Sequence, residues 1–92
     1  MQINKILIIE SPIHLWRLLR TKEEIIDTAK EDIINELRYF MDCVDTYING
    51  CKCDQDENYK EMISQFECIK IDQVVEHLIK GFECDKIEFK NN

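Results

Sequence analysis

The feature that most limits the fold is an apolar stripe that starts at Ile26 and reaches Ile48 without meeting a glycine or a proline. At about 100° per residue, Ile26, Ala29, Ile33, Leu37, Phe40, Met41, Val44, Tyr47 and Ile48 all fall on one face of a helix. The preceding Thr21-Lys22-Glu23-Glu24 has the form of a capping box, in which the Thr21 hydroxyl accepts from the Glu24 N–H and the Glu24 carboxylate reaches back to the cap. Asn49-Gly50 supplies a stop. The pattern predicts one helix of about seven turns as the dominant element.

Shorter elements obey the same logic. Lys5-Ile6-Leu7-Ile8-Ile9 is β-branched and short, which suits a buried strand. Ser11-Pro12 then places a cap before a residue favoured at the first helical position, predicting a helix over residues 12–19 with Leu15, Trp16, Leu18 and Leu19 on one face. After an acidic loop over residues 51–58, Asp54 or Asp56 is placed to cap a helix carrying Tyr59, Met62, Ile63 and Phe66. Asp72 caps another, through Lys80, with Val74, Val75, Leu78 and Ile79 inward and Gly81 as its stop. Lys86-Ile87-Glu88-Phe89-Lys90 alternates polar and apolar and is a candidate strand partner for the first. The expected fold is mainly α, a small bundle of three or four helices around one long helix, with two short terminal strands that would make it α+β.

Length bounds what these elements can build. Ninety-two residues make one domain, residues 1–92, and 45% hydrophobic content with two glycines and one proline excludes collagenous and disordered classes. A chain this short hides only about 60–65% of the surface it exposes when unfolded, so a partner, a metal or self-association would add to its stability.

Charge narrows the partners. The formal net charge is −7, and it is unevenly spread: +3 over residues 1–22, −8 over residues 23–61 and −2 over residues 62–92. Such a balance disfavours direct contact with nucleic acid, whose recognition begins with the attraction of phosphates. No apolar run approaches a membrane span, and the run Ile6-Leu7-Ile8-Ile9 is shorter than a signal peptide requires. Five cysteines, an odd number, with Cys51 and Cys53 separated by one residue, point to free thiols and a reducing, cytoplasmic setting.

Motifs for chemistry are sparse. Cys51 and Cys53 with Cys68, Cys84 or His77 would complete a tetrahedral zinc site, but paired zinc ligands are normally separated by two to four residues, about twice or more the present spacing. The simpler reading makes Cys43, Cys68 and Cys84 core or half-core residues. Asp54-Gln55-Asp56-Glu57-Asn58 begins like a calcium loop, yet Tyr59 and Gln65 stand where the glycine and the bidentate glutamate belong. His14 and His77 read as surface or boundary residues, and no phosphate loop or nucleophile elbow occurs. No enzyme, cofactor or metal is expected.

The remaining feature is acid. On the expected long helix Glu24, Asp27, Glu31, Asp42 and Asp45 lie on one side of the apolar stripe and Asp32 and Glu36 on the other, interrupted by Lys30 and Arg38. A solvated face is the plainer explanation of such a run. The functional one is a surface that docks on a basic protein partner, as an inhibitor or adaptor would. Small acidic immunity and phage counter-defence proteins share this physical description, a likeness of class and not of sequence. The alternative is a metal-stabilised or small-ligand-binding homo-oligomer that buries Trp16 and other aromatic residues between subunits.

Overall fold

The computed structural model of the chain describes residues 5–50, 56–69 and 72–90. The apolar run near the start forms β1 (Ile6–Ile9), after which Ser11 and Pro12 turn the chain into α1 (Pro12–Thr21). The Ser11 hydroxyl accepts from the His14 N–H at 3.1 Å, and Pro12 sits at the start of the helix, where its missing N–H leaves no hydrogen bond unmade. Next come α2 (Glu24–Asp27), α3 (Glu31–Asn49), α4 (Glu57–Ile69), α5 (Asp72–Phe82) and β2 (Lys86–Phe89). The fold is mainly helical, packed around α3, with the two short strands paired.

That pairing is parallel, Ile6 beside Lys86 through Ile9 beside Phe89. A parallel pair cannot be closed by a tight turn, so all the helices together form its crossover. The side chains alternate as in a half-buried sheet: Ile9 and Ile87 are buried, Leu7 and Phe89 pack on the core, and Ile6, Ile8, Lys86 and Glu88 face outward, so β1 is not the buried strand its apolar run suggests, because the helices cover only one face of the two-stranded sheet.

The expected single long helix is two helices. Thr21 closes α1, and its hydroxyl donates to the Leu18 carbonyl at 2.7 Å instead of capping α2. Lys22 has left helical geometry, and its Nζ donates to the Gly81 carbonyl at 2.9 Å while lying 5.5 Å from the centre of the Phe82 ring. A second break falls at residues 28–30, where the Ala29 N–H bonds back only three residues to Ile26 and Lys30 is extended. The reason is packing. In a continuous helix Ile25 would stand about 100° from Ile26 and off the stripe, whereas here both are buried, at 2% and 1% exposure. Separate from α3, α2 turns Ile25 onto α5.

The rest of the stripe is core as expected. Ile33, Leu37, Phe40, Met41 and Val44 are buried, with Ala29, Tyr47 and Ile48 half-buried beside them. α3 packs chiefly on α4, where Phe40 and Phe66 lie 6.2 Å apart, and Phe66 in turn meets Phe89 of β2 edge-on at 5.7 Å. Leu15 and Leu19 of α1, Cys43 of α3, Met62 and Ile69 of α4, and Val74 and Leu78 of α5 complete the interior. Asp56 caps α4, accepting from the Asn58 N–H at 3.1 Å; Asp54, the other candidate, lies outside the described residues, as do Cys51, Cys53 and the rest of that acidic loop through residue 55.

Gly81 does not stop α5. The helix continues to Phe82 and ends in a Schellman arrangement, the Cys84 N–H bonding to the Ile79 carbonyl at 3.1 Å and the Glu83 N–H to that of Lys80 at 3.4 Å. The left-handed residue this requires is Glu83, with φ 53°. Gly81 is needed for space: a Cβ there would come within 2.2 Å of Ile25 Cγ1. Gly81→Ala should therefore destabilise by about 1–3 kcal/mol through overpacking, despite alanine's better helix propensity. Glu83→Gly should stabilise by about 1 kcal/mol by relieving the left-handed backbone. Urea melts of the two variants check both signs.

Candidate functional site

The five acidic residues marked by the sequence divide between two helices, Glu24 and Asp27 on α2 and Glu31, Asp42 and Asp45 on α3. Their electrostatic situations differ. Asp27 forms an exposed ion pair with Arg38 at 3.0 Å. Asp45 is half-buried and doubly engaged, by Arg20 in an ion pair and by the Trp16 Nε1–H at 3.1 Å. Arg20 and Arg38 also border a small cavity of about 190 Å³ with Glu23, Asp42 and Asp45, so the middle of this surface carries both signs of charge. Glu24, Glu31 and Asp42 are exposed and form no ion pair among the described residues. Of the two acids on the other flank, Asp32 is exposed and Glu36 half-buried.

The Trp16–Asp45–Arg20 group explains why Asp45 is held. The Arg20 guanidinium lies 5.3 Å from the centre of the Trp16 ring, so one carboxylate on α3 fixes an indole and a cation on α1. Removing it strands the indole N–H and leaves Arg20 only its 4.0 Å ion pair with Glu23. Asp45→Ala should cost about 1–2 kcal/mol, whereas Asp42→Ala should stay within about 0.5 kcal/mol, and thermal melts will separate the two.

A second polar contact ties α3 to α4. The exposed Tyr39 hydroxyl donates to the Glu61 carboxylate, which with the negative charge of Glu61 pushes the phenol up to about 12. The bond holds a proton, so it persists below the ordinary tyrosine value and is lost as pH rises from about 10 towards 12. Glu61→Gln should lower the midpoint of one tyrosine in an alkaline ultraviolet titration by about one unit or more. Burial likewise pushes the Cys43 thiol up, which makes it a poor nucleophile. Cys84 is half-buried, but Cys68 is exposed on α4 and is not the core residue expected. His14 and His77 are boundary residues, and His14 Nδ1 accepts from the Glu10 N–H at 3.1 Å. Among the described residues no three His, Cys, Asp or Glu side chains gather as a metal site.

The structure adds a concave site. Where α1 begins, α3 ends and α4 passes between them, an open groove of about 700 Å³ is walled by Ile13, Tyr47, Tyr59, Met62, Ile63 and Phe66. Tyr47 and Tyr59 stand 5.7 Å apart with their rings inclined at 56°. Glu10, Glu67 and Lys90 lie at its polar edge. Periodicity marks these aromatic residues only as inward-facing, and the one hint of a site is the pair of tyrosines, whose hydroxyls belong at a wet boundary. The fold and site together define a small helical domain with an acidic surface and a separate aromatic groove. Comparison with family models, with curated proteins and with solved structures finds no match to this chain. No helix among the described residues is long and apolar enough to cross a membrane.

Proposed function

We propose that this chain is a non-catalytic protein-binding module, an inhibitor or adaptor, whose α2–α3 surface meets a partner with a basic surface. The observation that supports this reading is the uncompensated acid: Glu24, Glu31 and Asp42 remain exposed without an ion pair among the described residues, while Asp27 and Asp45 already hold arginines. Acid left unpaired on a chain of net charge −7 repels its own kind and draws cations, which speeds encounter with a basic partner. The free thiols of Cys43, Cys68 and Cys84 fit work in a reducing, cytoplasmic setting.

Charge reversal tests the reading. Proteins retained from the source cell by the wild-type chain should be basic at the contact surface and should be lost when Glu24, Glu31 and Asp42 are all replaced by lysine. With the purified partner, the triple variant should associate about tenfold or more slowly at low salt, with the difference shrinking as salt screens the charges. Melting temperature should hardly move. Association unchanged at every salt concentration, with the variant folded, overturns the proposal.

A further inference from the structure

The groove between α1, α3 and α4 combines apolar walls with a charged edge, and the combination selects its occupant. Glu10 and Glu67 are exposed and in no ion pair among the described residues. A neutral apolar ligand would strip water from these carboxylates and return nothing, at a cost in free energy. An anion would meet a chain of net charge −7 with Lys90 as the single base among the lining residues. A basic side chain satisfies both surfaces. Its methylene stem would find Ile63 to lie along, and its cation would find both tyrosine rings and carboxylates in the same lining. Arginine fits better than lysine, because its planar guanidinium stacks on an aromatic face while its edge donates to a carboxylate.

Lys90 limits how much positive charge the groove accepts. Its N–H donates to the Ile9 carbonyl at 2.9 Å, which sets it beside Glu10 at the common end of the two strands. A run of cations is disfavoured there, and apolar neighbours of one arginine fill the remaining space, which is of the size that holds a few side chains. We infer that the groove receives a protein segment in which an arginine is flanked by apolar residues. The inference rests on the basic-partner reading above and assigns that partner a second contact, away from the α2–α3 surface.

The test is a titration of ¹⁵N-labelled protein with a blocked Leu-Leu-Arg-Leu-Leu peptide (the leucine peptide), beside an equally charged blocked Gly-Gly-Arg-Gly-Gly peptide (the glycine peptide). Amide shifts should concentrate at Tyr59, Ile63 and Glu67. The glycine peptide should bind about tenfold more weakly or worse, and Glu10→Gln with Glu67→Gln should weaken the leucine peptide by about fivefold or more. Equal affinity for the two peptides overturns the inference, as does the absence of shifts up to about 1 mM peptide. Shifts confined to Glu24, Glu31 and Asp42, untouched by the two Gln substitutions, also overturn it while leaving the basic-partner reading standing. That reading fails separately, by unchanged association of the triple lysine variant.

Discussion

The approach of Ile25 to Gly81 governs how the helices are arranged. An isoleucine and a missing side chain meet where any Cβ would collide, which brings α2 and α5 closer than ordinary side chains allow. To place Ile25 there while Ile26 stays in the core, the chain must leave helical geometry on both sides of α2, at Lys22 and again at Lys30. Lys22 then lies over the end of α5 and bonds to the carbonyl of the same Gly81. The end of α1, the whole of α2 and the end of α5 are thus fastened at one point, and α5 delivers β2 to its place beside β1.

Much of this was legible from periodicity. The stripe from Ile33 to Val44, the cap at Ser11, the alternation of β2 and the inward faces of α4 and α5 are all local patterns, and each is found where the residues place it, whereas the unbroken apolar run of β1 gives no sign that Ile6 and Ile8 face outward. What periodicity does not carry is contact between distant residues. Thr21-Lys22-Glu23-Glu24 is a good capping box taken alone, but Lys22 has a partner 59 residues away that no local pattern records. Gly81 was legible as a glycine but not as a space, because its neighbour is Ile25. The five acids were legible as charge, and their division into paired and unpaired members depended on where Arg20 and Arg38 reach.

The groove and the acidic surface share a physical origin in the limits of a small core. The aromatic side chains at the end of α3 and the start of α4 cannot all be enclosed, so Tyr47 and Tyr59 are left half-buried with one ring against the other. Acid around such an opening keeps it hydrated and discourages casual apolar contacts. Under the proposed function, a partner carrying positive charge would remove that obstacle, and the carboxylates at the groove's edge would then favour its filling.

The parallel pairing of β1 with β2 also has a consequence for how the chain reaches its structure. Partners in the ladder are separated by 80 residues, as between Ile6 and Lys86. Closing a loop of that length costs conformational entropy that no local contact repays, so the sheet belongs to the end of folding, after the helices have brought its strands together. During synthesis β1 emerges first and waits roughly 4–16 s for its partner at about 5–20 residues per second. Throughout that interval Ile6-Leu7-Ile8-Ile9 is an unpaired β-branched segment with both edges open. The interval in which this segment stands open to aggregation is therefore at least as long as the ribosome takes to reach β2.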